Sequence, residues 1–428
     1  MLSIRSTGFV SASSSRLLTS SRTTLAFARG SKALRGQGAL HGLSRAYSSG
    51  RVPKQGSSFR VSTVFYALVG VGLAATVYGV YDFYGLLTMW PEEVRADLLP
   101  GIKAKHQGDL ALSERYLKRA YDNALSLPID TFSPSPYLKI SALAITLSEV
   151  MEANDRPKYA YEVYTSSITH FQSNWSALDE RERLRAVAIA HKLGEMADTY
   201  QLGEEEEERW LTWAVEEALR IAKAAHAAKG KGKEESNDET VVLAELDLPK
   251  WVSVADIGAP IEALGAFYAR TGKLEYAVPL YLQAISLLVP PMNSGKSASP
   301  EELCRGAQLM SNLSDLFMRG ARTTATLHQA EAWARQALSL IEKTRSKSGN
   351  GIDICEQAFA VTLFNLGSIR EARDDPVAAG DLFRRSLEQS NKIGMREGIA
   401  EARQAIRRVD RMKRAAQTAW SSAESDTK

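Results

Sequence analysis

Hydrophobic and polar positions follow two regimes along this chain. Residues 61–81 (VSTVFYALVGVGLAATVYGVY) carry no charged side chain and no polar stripe. A helix of that length spans roughly 30 Å, the thickness of a bilayer's hydrocarbon core, so the stretch predicts a transmembrane helix. From residue 95 onward, apolar positions recur every three or four residues among Ala, Leu, Glu, Lys and Arg. That period predicts an all-helical domain over 95–395. Between the two, 82–94 (DFYGLLTMWPEEV) reads as a juxtamembrane linker, with Tyr84 and Trp90 suited to a lipid interface and Pro91 to a helix start. Residues 396–420 are highly charged, with Ile399, Ile406 and Val409 on one side, and predict a helix that caps the domain. Residues 421–428 read as a disordered tail.

Within the helical domain the pattern repeats. In 261–285 (IEALGAFYARTGKLEYAVPLYLQAI), Gly265, Tyr268, Gly272, Ala277, Tyr281 and Ala284 fall at tetratricopeptide spacing. Gly265 and Ala277 are expected where the two helices of a hairpin approach, and Tyr281 in the wedge between repeats. The frame recurs at Leu366, Gly367, Ala379, Phe383 and Ser386, and at Leu147, Ser148, Ala160, Tyr164 and Ser167. A looser copy runs through Gly101, Gly108, Ser113, Leu117 and Ala120. Two more, with longer turns, start at Leu193-Gly194 and Leu313-Ser314. The fold class expected is therefore all-α, a solenoid of about six tetratricopeptide-like hairpins. Disordered loops are expected near 229–240 (KGKGKEESNDET) and 290–300 (PPMNSGKSASP), and a solvated turn at the acidic run 203–208.

Charge divides the chain at the same place as hydropathy. Ten of the 53 basic residues and none of the 50 acidic ones precede Asp82, leaving 43 bases against 50 acids in the remainder. The net charge of +3 thus joins a basic leader to an acidic domain. Arg5, Arg16, Arg22, Arg29, Arg35 and Arg45 stand in Ser-rich, weakly apolar sequence, the composition of a mitochondrial presequence. Arg45 three places before a new terminus predicts cleavage between Tyr47 and Ser48, and so a presequence over 1–47. Arg51, Lys54 and Arg60 then remain in a short matrix segment, 48–60. Retained positive charge predicts a single-pass inner-membrane protein with its N-terminus in the matrix and its helical domain in the intermembrane space.

Catalytic chemistry finds no foothold in the sequence. His41, His106, His170, His191, His226 and His328 are scattered, without a His-Glu-x-x-His pair. Gly70-Val-Gly72 lies inside the apolar helix rather than after a strand, and Gly295-Lys296-Ser297 has Pro290 where a phosphate loop needs its first glycine. Basic residues do not interleave with aromatics in the domain, so no nucleic acid is expected. No enzyme activity, cofactor or metal is expected either. Cys304 and Cys355 fall in the first helices of neighbouring repeats and could approach each other, although a lone pair in a large domain favours buried thiols over a structural disulfide.

What remains is protein binding. The first helix of each repeat lines the groove of such a solenoid, which here would display Ile145, Glu149, Glu152, Glu195, Asp198, Glu262, Asp315, Phe364 and Glu371. Where chaperone-tail-binding repeats hold Lys and Asn, this chain has Leu98 and Ile102, His191 and Glu195, Glu262 and Ala266, and Ser311 and Asp315. A carboxylate clamp is not expected. An acidic, partly apolar groove would take basic or unfolded segments, unless the acids only solvate the array.

The whole layout resembles a family. A presequence, one membrane helix, Trp90-Pro91-Glu92-Glu93-Val94-Arg95, Ile102-Lys103-Ala104-Lys105 and Gly108-Asp109-Leu110, followed by degenerate repeats, is similar to the fungal adaptor subunits of the mitochondrial i-AAA protease. The resemblance implies a non-catalytic subunit that works with a second adaptor. It would bind misfolded or unassembled proteins of the inner membrane and intermembrane space and deliver them to the protease. A scaffold or assembly factor for a respiratory or import complex would share every one of these features.

Overall fold

The computed structural model describes residues 61–229, 248–249, 251–291, 297–320, 323–348 and 351–426. Its elements there are helices: α1 Val61–Thr88, α2 Glu92–Gln107, α3 Leu110–Ser126, α4 Pro136–Ala153, α5 Pro157–Ser173, α6 Glu180–Thr199, α7 Glu204–Lys229, α8 Val254–Arg270, α9 Leu274–Leu288, α10 Pro300–Arg319, α11 Thr324–Ser348, α12 Asp353–Ala372, α13 Pro376–Ile393 and α14 Arg396–Asp426. Two short 3-10 turns, Ile129–Phe132 and Trp175–Ala177, complete the set.

The sequence marks these helices at both ends. Asp179 with Glu182, Ser253 with Asp256 and Ser299 with Glu302 form reciprocal capping boxes at the starts of α6, α8 and α10. Asp109 and Asp375 accept from backbone N–H groups at the starts of α3 and α13. Prolines 136, 157, 300 and 376 open helices where no N–H bond is lost.

From α2 onward the helices pair as hairpins, α2/α3, α4/α5, α6/α7, α8/α9, α10/α11 and α12/α13, and α14 packs on the last of them. Five of the turns inside hairpins carry a left-handed residue one or two places after the first helix: Gly108, Asp155, Gln201, Gly272 and Asp374. The helices of a hairpin cross at the small residues of the repeat frame. There Ser113 Oγ donates to Gly101 O at 2.8 Å, Ser148 Oγ to Ala160 O at 3.3 Å and Ser314 Oγ to Ala330 O at 2.7 Å. At Gly367 a Cβ would lie 2.7 Å from the buried Phe383 ring, so only glycine fits. At Gly265 a Cβ would meet Leu280 and Tyr281 at 3.4 and 3.5 Å, an ordinary contact. One apolar core runs from Val94 to Ala358, with two smaller clusters among α10 to α14.

Several boundaries differ from the expectations. The helix starting at Val61 continues to Thr88 instead of ending at residue 81. Among the residues whose side chains are described, no helix is long and apolar enough to cross a membrane. That set leaves out the side chains of 61–68, part of the expected span. The last helix reaches Asp426, so most of the expected disordered tail is helical. No Gly or Pro stands after Gly398 to stop it. Residues 290–291 and 297–299 are irregular, as expected of a loop. Residues 230–240, like the presequence and its cleavage residues Arg45, Tyr47 and Ser48, lie outside the described residues.

Candidate functional site

The first helices of the hairpins (α2, α4, α6, α8, α10, α12) and the terminal α14 form one face of the array. Neighbouring members touch directly at α4/α6, α6/α8, α10/α12 and α12/α14. The predicted groove residues are on these helices, and the structure gives nearly every acid a basic partner. Glu149 meets Lys105 of α2 at 2.7 Å, Glu152 meets Lys192 of α6 at 3.1 Å, and Asp198 meets Arg270 of α8 at 3.2 Å. Glu262 meets Arg305 of α10 at 2.8 Å, and Glu371 takes Arg408 of α14 at 2.6 Å. Asp315 pairs with Arg319 one turn on in its own helix, at 2.6 Å. Most of these pairs tie one first helix to the next, so the carboxylates form a ladder along the face.

Glu195 lies 3.9 Å from His191. Burial pushes the His191 imidazole down to about 4, with Glu262 opposing and Arg305 and Lys192 reinforcing the shift. The ring is therefore neutral near pH 7. Ile145 is only 5 % exposed and belongs to the core. Phe364 is half-buried against Phe383, with ring centroids 5.2 Å apart. The Tyr164 hydroxyl is buried without a hydrogen-bond partner. Burial and then the charges of Glu152, Glu149 and Glu195 push it up, so it points toward the same face.

The acidic run 203–208 opens α7 rather than forming a solvated turn, because acids are favoured in a helix's first turn. It also holds the third and fourth hairpins together. Glu207, nearly buried, takes Arg270 on both oxygens at 2.6 Å. Burial raises the Glu207 pKa while Arg270 works against the rise. Glu208 accepts from the Tyr268 hydroxyl at 2.9 Å and from Lys273 at 3.0 Å. Glu206 accepts from Trp210 at 3.0 Å and bonds Tyr161, whose phenol burial and Glu206 push up to about 12.

The cysteines correct the expectation of separate thiols. Cys304 of α10 and Cys355 of α12 are joined as a disulfide with Cα atoms 5.0 Å apart. These two first helices pack close enough for further direct links. Ser311 bonds Thr362 side chain to side chain, and Asn365 Nδ2 donates to Ser311 O at 2.9 Å. Beside Cys355, Glu356 accepts from Arg345 at 2.9 Å and from Gln389 at 2.6 Å. Among the described residues no group of His, Cys, Asp and Glu is arranged to hold a metal ion.

No protein-family model matches the chain, and no curated protein matches it. Solved structures similar to it are helical repeat proteins. BtubC from P. vanneervenii is 16% identical over 67% of this chain and 92% of its own, with a TM-score of 0.45. Nro1, a nuclear import adaptor, is 11% identical over 76% of this chain and 95% of its own, at 0.40. A tetratricopeptide repeat protein from Parabacteroides merdae is 11% identical over 74% and 99%, at 0.31.

Proposed function

We propose that the chain is a non-catalytic adaptor of the mitochondrial inner-membrane i-AAA protease, holding misfolded or unassembled proteins on its first-helix face and passing them on. The observation that carries the reading is the combination of a hairpin array with the sequence that precedes it. An acid-free basic leader and an apolar helix stand before six stacked hairpins whose first helices are joined by direct contacts or ion pairs. The leader supplies an address and the apolar helix an anchor in the inner membrane. The array supplies surface for a protein partner. The Cys304–Cys355 bond supports an intermembrane-space location, since structural disulfides persist where thiols are not kept reduced.

A second reading, a scaffold for one respiratory or import complex, draws support from the ion-pair ladder. A face whose carboxylates are already matched is a narrower receptor than an open acidic groove. One experiment separates the two. Tagged protein purified from mitochondria in mild detergent brings down the i-AAA protease and a second adaptor if the first reading holds. A respiratory or translocase complex without the protease supports the second. Protease treatment of mitoplasts in the same preparation clips the helical domain only after the outer membrane is opened; clipping from the matrix side alone refutes the topology.

A further inference from the structure

We propose that Arg185 anchors a peptide site on the first-helix face of the second and third hairpins, taking an extended protein segment that carries a carboxylate between small apolar side chains. The inference rests on the protein-binding reading and adds the charge that a bound segment must bring.

Arg185 is the one lysine or arginine of α4, α6, α8, α10 and α12 without a described partner. Every other lysine and arginine on α4, α6, α8, α10 and α12 has an acidic, carbonyl or aromatic partner. Arg185 has none among the described residues, although it is half-buried. Burial lowers its pKa. A partly desolvated guanidinium without a counter-ion is costly, and an incoming carboxylate removes that cost through two parallel hydrogen bonds.

Helix register gives the site its place. Lys192 lies two turns after Arg185 on the same face of α6, and it meets Glu152 of α4. Arg185 is therefore turned toward α4, two turns before that ion pair. The residue two turns before Glu152 is Ile145, which is in the core, and the half-buried Leu138 and Ala142 continue the same side of α4. Ala188 follows one turn after Arg185 on α6 and is also half-buried. The α4 side and the turn after Arg185 are thus apolar, and the exposed Arg181 stands one turn before it on the same stripe. Glu149 and Glu152 close the far end, already engaged by Lys105 and Lys192.

The test uses the full chain in mild detergent and fluorescence anisotropy with short labelled peptides of leucine and alanine. One peptide has blocked ends and a central glutamate, a second has glutamine there, and a third has glutamine with a free C-terminal carboxylate. The glutamate peptide is expected to bind about tenfold more tightly than the glutamine one. The third peptide reports whether a chain terminus serves as well as a side chain. Arg185→Met keeps the aliphatic stem and should erase the preference, while Arg185→Lys restores part of it. An unchanged melting curve of Arg185→Met excludes misfolding as the cause. Equal binding of glutamate and glutamine peptides, or a preference that survives Arg185→Met, overturns the inference and leaves the adaptor reading intact. Failure of every peptide, in a preparation that also holds no unfolded protein, overturns both.

Discussion

Reducing the Cys304–Cys355 bond should weaken the C-terminal end of the array far more than the rest. The bond closes a loop with a sequence separation of 51. On the chain-entropy model such a loop removes about 14 cal/mol/K from the unfolded ensemble, or about 4 kcal/mol at 25 °C. How that appears in a melt depends on what unfolds together. If the whole helical domain melts as one unit, its unfolding entropy is on the order of 0.7 kcal/mol/K and the midpoint falls by about 6 °C. A solenoid couples mainly through nearest neighbours. If α10 to α13 melt by themselves, the entropy is on the order of 0.2 kcal/mol/K and the shift approaches 20 °C. The assay is circular dichroism with and without a phosphine reductant, with intact mass and alkylation fixing the thiol state of each sample. Hydrogen exchange then locates the loss, expected in α10 and α12. Midpoints equal within about 1 °C would refute the reasoning, and so would alkylation of both cysteines in unreduced, denatured protein.

Three further outcomes are expected. Gly367→Ala drives a methyl into Phe383 and should cost about 1–3 kcal/mol in urea unfolding, whereas Gly265→Ala should stay under about 1 kcal/mol. Gln201→Gly removes a side chain from the left-handed region and should raise stability by about 0.5–1 kcal/mol; a loss there would mean that the turn is held by something other than backbone preference. His191 titrates near 6.5 unfolded and about 4 folded, so the unfolded chain takes up the proton first as pH falls. Its contribution is full above pH 6.5 and drains away toward pH 4, by up to about 3 kcal/mol. Chemical denaturation of His191→Gln across that range should give a flatter pH profile than the parent chain.

Much of the architecture is legible in residue spacing. The helical period, the Leu-Gly and Leu-Ser positions and the small residues opposite them locate the crossings inside the hairpins, because close approach admits only Gly, Ala or Ser. The relative need for glycine at two equivalent positions is not legible. Gly367 and Gly265 share a motif, and the difference lies in how the partner ring sits. The acidic run 203–208 reads as solvated because its partners, Arg270 and Lys273, stand more than sixty residues away. The cysteine pairing is not legible from the number of cysteines, because it depends on how closely the first helices of adjacent repeats pack. The extent of the last helix is not legible from its polar, serine-rich composition but from the lack of Gly or Pro after Gly398.

The face of the array shows why single positions mislead in a repeat protein. Each of Glu149, Glu152, Glu262 and Glu371 is an acid on a first helix, and taken one at a time each looks available to a basic ligand. Their partners Lys105, Lys192, Arg305 and Arg408 stand 44, 40, 43 and 37 residues away, close to one repeat. Opposite charges offset by one repeat are a signal that a search within a helix does not see, since it looks only three or four residues away. Among the lysines and arginines of α4, α6, α8, α10 and α12, Arg185 is the one without a described partner, so a segment seated beside it would bring a carboxylate. In a stack that couples neighbouring hairpins, the matched pairs also hold α2, α4, α6 and α8 in register, so Arg185 is presented by helices whose relative positions are fixed on both sides.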